Sequence, residues 1–332
     1  MSAEAIWITE SEVVRLIDLG EAIAALEAAL REEARGAAQN MTKTLLQYGR
    51  NNLHAIGGRL GNIVGTKSWT HTQGGTCPLL LLWSAEDGSL VAVIEAFALG
   101  SLRTGGISGV AANWMAQENS SVMAIAGTGK QALAQIGAML AVRPIERVRI
   151  YSPREESRRA FAAKVVGEYG IQAEACASME VACRGAHVIT LVTRAAQPFL
   201  AAAMLDPGAH LNAVGAIAPD REEFAQDLFG RATLVAVDNL AGVQQLSREF
   251  MTRYGSGGWD RVTPLSALIA SGRRRSDADD LSIFKAMGMG ISDLALGVEL
   301  VRRARARGAG RLVAQPKKQE PRLSGSRARS PA

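Results

Sequence analysis

Cysteine is scarce in this sequence and unpaired. Cys77, Cys176 and Cys183 are odd in number and form no CxxC pair, which argues against a disulfide framework and a zinc site. They read as small hydrophobic fillers in a reducing cytoplasm. Aromatic residues make up only 5%, so Ala, Leu, Val and Ile must fill the cores that a 48% hydrophobic content implies. No apolar run reaches bilayer length, and the densest, Leu79-Leu80-Leu81-Leu82-Trp83, suits a strand. The opening Met1-Ser2-Ala3-Glu4 lacks the basic-then-apolar order of a secretory signal, so none is expected. No metal site is expected either.

An excess of positive charge is present, but only in one place. From Gly308 onward Arg311, Lys317, Lys318, Arg322, Arg327 and Arg329 stand against Glu320, which accounts for the whole net charge of +5. The remainder is formally neutral, so neither nucleic acid nor a membrane is an expected partner. Residues 308–332 read as a disordered, solvated tail.

The 332 residues have room for two domains. Thr9-Glu10-Ser11-Glu12 has the form of a capping box, an apolar stripe over Ala22–Leu30 predicts a helix, and Gly36 ends it. Short strand-like runs follow from Met41 to Ala96, with Glu86-Asp87-Gly88 as a hairpin turn, so a mostly antiparallel sheet is predicted. After Arg103 strands and helices alternate, the pattern of a parallel sheet. Ser121–Ala126, Arg147–Tyr151, His187–Val192, His210–Val214 and Thr233–Val237 are predicted strands. Lys130–Val142, Arg154–Glu168 and Ser292–Arg307 are predicted helices.

The first of these strands runs into Gly127-Thr128-Gly129-Lys130-Gln131-Ala132, a GxGxxA loop ahead of a helix. Gly127 permits the tight turn, Gly129 lets the backbone approach a pyrophosphate, and Ala132 allows close helix packing. The helix N-terminus offers free N–H groups to the anion. Strand, loop, helix and second strand fall where a βαβ unit needs them, so a bound nicotinamide dinucleotide is expected. After the second strand, Ser152-Pro153-Arg154 replaces the carboxylate that would bind a ribose 2′-hydroxyl. Ser152 and Arg154 suit a 2′-phosphate, which favours NADP over NAD.

Several segments together resemble the ornithine cyclodeaminase/mu-crystallin family. Leu102–Ala112 is similar to its RTAAxSAxA signature, Gly127–Ala132 to its GxGxQA, and Val214-Gly215-Ala216 with Pro219 and Glu223 to its GSxxPxxxEL. Ile283–Gly288 with Asp293 is similar to VFKSxGxxxxD, and Lys67 to the lysine of GxK. The resemblance covers roughly residues 5–307. It implies an α/β fold: a Rossmann-type doubly wound parallel sheet over residues 120–284, plus a discontinuous α+β substrate and dimerisation domain over 1–119 with 285–307. It also implies a homodimer acting on a small substrate that carries a carboxylate, through redox chemistry at a carbon bearing nitrogen.

On this resemblance Arg103 grips the carboxylate and Lys67 binds it or moves a proton. Thr104, Thr193, Val214 and Lys285 join Gly127, Thr128, Gly129, Lys130 and Gln131 around the cofactor. Three departures shape the expectation. Lys43 stands where many members carry an arginine, keeping charge but losing the guanidinium fork. His54 stands where cyclodeaminases carry a glutamate, and Ile217 where they use an aspartate. Isoleucine cannot move a proton, and Asp220 and His54 are the nearest replacements. The expected activity is therefore reduction of an imine or keto acid to an amino acid. A cyclodeaminase that recycles NAD, or a cofactor-binding protein without turnover, is the alternative.

Overall fold

A computed structural model describes residues 4–321. Two sheets divide them. The first is built from β1 (Ala5–Ile8), β2 (Ala38–Asn40), β3 (Thr44–Tyr48), β4 (Asn51–Leu60), β5 (Ile63–Thr72), β6 (Gly75–Thr76), β7 (Leu79–Ser84) and β8 (Leu90–Glu95). It is antiparallel except where β1 joins β8. Closely packed glycines lie inside β4. A Cβ on Gly57 would lie 2.2 Å from the Gly65 carbonyl oxygen, and one on Gly58 2.4 Å from that of Gln39.

Helices α1 (Glu10–Leu16), α2 (Leu19–Ala34) and α3 (Phe97–Met115) accompany this sheet. The Thr9 box opens only α1: its N–H meets the Glu12 carboxylate at 2.9 Å. The chain is extended at Ile17, and Asp18 with Glu21 forms a second box that starts α2. The single helix expected after Thr9 is thus two.

The second sheet contains β9 (Val122–Ala126), β10 (Arg147–Tyr151), β11 (Gln172–Ala175), β12 (Val188–Leu191), β13 (His210–Ala213), β14 (Ala232–Val237), β15 (Thr263–Pro264) and β16 (Leu281–Lys285). Its order is β11-β10-β9-β12-β13-β16-β14-β15 and every pairing is parallel. Helices α4 (Ala132–Val142), α5 (Glu155–Tyr169), α6 (Met179–Cys183), α7 (Leu228–Arg231), α8 (Leu240–Leu246), α9 (Arg248–Tyr254) and α10 (Leu265–Ser271) lie along the crossovers. The strand order reverses between β9 and β12, the switch point at which such sheets bind ligands.

After β16 the chain returns to the first sheet as α11 (Gly290–Arg307). Gly290 makes the approach possible, because a Cβ there would sit 1.9 Å from the Gly57 carbonyl oxygen. The tail expected to be disordered from residue 308 instead adds β17 (Arg311–Val313), antiparallel to β1. That edge of β1 was free, and the Gln315 amide continues the contact by exchanging two hydrogen bonds with the Leu90 backbone. The last part of that tail lies outside the described residues.

Candidate active site

The carboxyl ends of β9, β12, β13 and β16 carry one end of the site. Gly127 follows β9 with φ +108°, and a Cβ on it would meet the Val192 carbonyl oxygen at 2.6 Å, so only glycine fits this turn. Gly129 faces open space, with nothing within 4 Å of an added Cβ. Helix α4 begins at Ala132, later than expected from Lys130, because Gln131 serves as its N-cap. Beside the loop a groove of about 540 Å³ runs between α4 and α5, lined by Thr128, Lys130, Arg154, Ser157 and Lys164 among others. It holds three cations and no carboxylate. Ser152 is buried, and its carbonyl accepts from Arg158 at 3.1 Å.

The neighbouring loops are tied down from below. The Glu223 carboxylate accepts the Thr193 N–H and hydroxyl, both at 2.7 Å, and the N–H groups of Gly215 and Ala216, both at 2.9 Å. Burial raises its pKa, and Lys285 opposes this. Lys285 is placed otherwise than the family resemblance implies. Its side chain is wholly buried, donating to the Ala216 carbonyl at 2.5 Å and to Glu249 at 3.4 Å. With no accessible surface it cannot touch a cofactor through its ammonium, and it braces the loop instead. Val214 is likewise buried, its N–H held by the Leu191 carbonyl at 2.9 Å.

Helix α3 links this end to the substrate end. Gly105 packs so closely on α4 that a Cβ would fall 2.5 Å from the Ala134 carbonyl oxygen. The Thr104 hydroxyl donates to the Gly100 carbonyl at 2.8 Å, and its own carbonyl accepts from Gln135 at 3.0 Å. Arg103 therefore sits just beside the start of α4.

Lys67 on β5 and Asp293 on α11 form a buried ion pair, joined by a short hydrogen bond from Nζ to Oδ1. Arg103 Nε lies 3.6 Å from the same oxygen. Both Arg103 Nε and Asp293 Oδ2 are buried without a hydrogen-bond partner. Burial brings the Lys67 pKa down to about 8; Asp293 opposes the shift, and Arg103 and Lys43 add to it. Lys43 is lowered by burial and then by Arg103. His54 stacks on Trp69, with centroids 4.7 Å apart, and Lys67 Nζ lies 5.3 Å from the Trp69 centroid. Burial, Lys43 and His71 lower the His54 pKa, and its Nδ1 is buried and unpartnered. Lys67 and Arg103 thus share the Asp293 carboxylate, and with Lys43 acting on both cations the cluster carries a surplus of positive charge.

Asp293 belongs to a motif read from the sequence, yet nothing there assigned it a role. Asp238 was missed altogether. Its buried carboxylate accepts the N–H groups of Met287 and Gly288, each at 2.8 Å, and fixes the turn that Arg103 packs against. Asp220, the nearest acid to Ile217 in sequence, is 72% exposed and lies 3.5 Å from Arg221. It turns outward and supplies no substitute at Ile217.

A parallel sheet with a glycine loop at its switch point is joined by one helix to a buried lysine–aspartate pair, an α/β arrangement that suits dinucleotide-dependent redox chemistry. The chain belongs to the ornithine cyclodeaminase/mu-crystallin family, whose model matches residues 4–307. It is 30% identical to an alanine dehydrogenase of Archaeoglobus fulgidus over 319 residues, 92% of this chain and 97% of that protein. A Δ1-pyrroline-2-carboxylate reductase of Bacillus cereus is 27% identical over 324 residues, 92% and 98% of the two chains. Among solved structures, an archaeal alanine dehydrogenase dimer with bound NAD matches with a TM-score of 0.85 at 30% identity, covering 95% of this chain and 99% of that one.

Proposed function

We propose that the chain is an NAD(P)-dependent reductase that converts a cyclic or open imine, or a keto acid together with ammonia, into an amino acid. The observation that carries this reading is the Lys67–Asp293 pair with Arg103 alongside. A buried ammonium whose pKa lies near 8 can hold or release a proton close to neutrality. Arg103 supplies the planar fork that suits a carboxylate, and Lys43 adds further positive charge nearby.

The dinucleotide fits the residues present. The turn at Gly127 is closed to any side chain, and the space over Gly129 is open. Gly127, Thr128 and Gly129 would hold the pyrophosphate, and Lys130, Ser152 and Arg154 the adenosine end. Three cations without a carboxylate in that groove favour NADP over NAD. When bound, the nicotinamide supplies or accepts the hydride at the substrate carbon. The protein's own tasks are then separate. Arg103 orients the carboxylate, Lys67 gives the proton taken up by nitrogen, and Asp293 keeps Lys67 charged and aimed. His54, stacked on Trp69, walls the pocket.

The absence of an acid at Ile217 disfavours ammonia loss and ring closure, the chemistry of a cyclodeaminase. The same reading includes a homodimer and a cytoplasmic enzyme. Leu46 and Leu53 are paired across the β3–β4 ribbon and are 58% and 41% exposed, the kind of apolar surface a second copy covers. Three free thiols agree with a reducing compartment. A panel of cyclic ketimines, keto acids with ammonia, and amino acids, assayed with both dinucleotides, tests the reading. Turnover of an imine with net dinucleotide oxidation supports it; turnover of none, with the dinucleotide bound, leaves a non-catalytic binding protein.

A further inference from the structure

Arg103 and Asp293 reach the active site from different helices, yet both depend on one turn. It runs from β16 into α11, and Gly288 within it has φ +84°. The Arg103 guanidinium lies against this glycine. A Cβ on Gly288 would stand 3.0 Å from Arg103 Nη1 and 3.8 Å from both Cζ and Nη2. Glycine therefore serves here for the close approach as well as for the positive φ.

Polar side chains from outside the turn hold it in place. Asp238, directly after β14, accepts the N–H groups of Met287 and Gly288, each at 2.8 Å. Asn239 donates to the Gly288 carbonyl at 3.4 Å. From the first sheet, Asn40 accepts the Ile291 N–H at 3.1 Å and donates to Glu33 on α2, also at 3.1 Å. Burial raises the Asp238 pKa, and the two N–H groups and Arg103 oppose this. Burial raises that of Glu33 as well; Ser266 and Asn40 hold it down, and Asp238 pushes it up. Asp238 is only 4% exposed, so any part it has in the reaction passes through the turn and not through contact with a ligand.

We propose, resting on the carboxylate-gripping role given to Arg103 above, that Asp238 is a positioning residue which aims the Arg103 guanidinium through Gly288. A carboxylate that accepts two successive N–H groups fixes both peptide planes. An amide in its place has a single acceptor oxygen, and its NH2 would face the other N–H. The turn would then relax, the surface behind Arg103 would shift, and the guanidinium would lose the orientation that a bidentate grip needs. Charge is lost as well as shape, because Asp238 and Arg103 attract one another. Lys67 and Asp293 keep their own hydrogen bond, so substrate binding suffers more than the chemical step.

The test is a double-mutant cycle on the full chain, with pyrroline-2-carboxylate as substrate. Asp238→Asn, Arg103→Ala and the double variant are compared with the wild type. Asp238→Asn should raise KM about tenfold and change kcat by less than about threefold, with dinucleotide affinity unchanged. In the Arg103→Ala background the same substitution should cost about twofold or less, because the group it aims is gone. Gly288→Ala crowds Arg103 without touching the carboxylate. It should raise KM in the same non-additive way, and it carries the test if Asp238→Asn does not fold. Additive losses, or a fall confined to kcat, would make Asp238 a merely structural residue and overturn the proposal. An unchanged KM in Arg103→Ala would show that the clamp itself is misassigned, and a wild-type chain that reduces no imine would refute the reaction. Either result overturns the positioning role too, and neither resembles the additive losses that would overturn it alone.

Discussion

Lys67 and Asp293 stand 226 residues apart in the chain and meet as a buried ion pair. Their contact joins an antiparallel strand to a helix that returns only after the whole parallel sheet has been completed. Removing one partner of such a pair leaves an uncompensated buried charge.

Asp293→Asn keeps the shape and removes the charge. Asp293 holds the Lys67 pKa up against burial, so its loss should lower that pKa further. Imine reduction should fall by about 10²-fold near neutral pH, the scale of a lost general acid. The optimum should move to lower pH. A pH–rate profile of the variant beside the wild type checks this, and a profile that keeps its position would refute the role given to Asp293.

The direction of the Lys67 shift fixes the sign of the pH dependence. Reduction needs the protonated amine, so kcat/KM for the imine should be sustained below about 8 and decline as pH rises through it. Oxidation of the amino acid needs the neutral amine and should show the opposite limb. Measuring both directions on one preparation tests the assignment, because a merely structural lysine would not produce mirrored profiles.

Arg103→Ala should raise KM for the substrate while leaving dinucleotide affinity near normal. Hydrogen bonds to a charged group contribute about 1.5–3 kcal/mol, so a loss of roughly 10- to 150-fold in kcat/KM is expected. Arg103→Lys should recover only part, since it restores charge without the fork. Equal loss of dinucleotide binding would show that Arg103 serves the cofactor instead.

Arg154→Ala and Lys164→Ala should each weaken NADPH while leaving NADH nearly unchanged. Both line the groove beside the glycine loop, and only the 2′-phosphate would require them. Direct binding titrations with the two dinucleotides decide the matter; an unchanged preference would return the choice to NAD.

Leu46→Glu should dissociate the proposed homodimer. Leu46 pairs with Leu53 across the β3–β4 ribbon, and both are exposed. Sedimentation of the wild type as a dimer and of the variant as a monomer is the expected outcome. An unchanged dimer would place the interface on another face.

The alternation of strands and helices, the glycine loop and the two cations Lys67 and Arg103 were legible in the sequence, because local pattern and short motifs carry them. Asp293 was visible as a letter in a motif but not as the partner of Lys67, since that contact depends on where α11 returns. Lys285 was misread for a related reason. A motif position says nothing about which way a strand side chain points, and in β16 the lysine points into a buried network with Glu249. The strand at Arg311–Val313 is too short to read from three residues and exists because β1 offers a free edge. The break between α1 and α2 is marked by Asp18 and Glu21, a second capping box that follows the one at Thr9 too closely for one helix to span both.

On the proposed function the dinucleotide is consumed as a reductant rather than recycled. Incubation with pyrroline-2-carboxylate and NADPH, and separately with ornithine and catalytic NAD, tests it most directly. Proline should form from the imine with one NADPH oxidised per proline, and no proline should form from ornithine. Proline and ammonia from ornithine without net NADH would contradict it and would mean that catalysis proceeds despite Ile217.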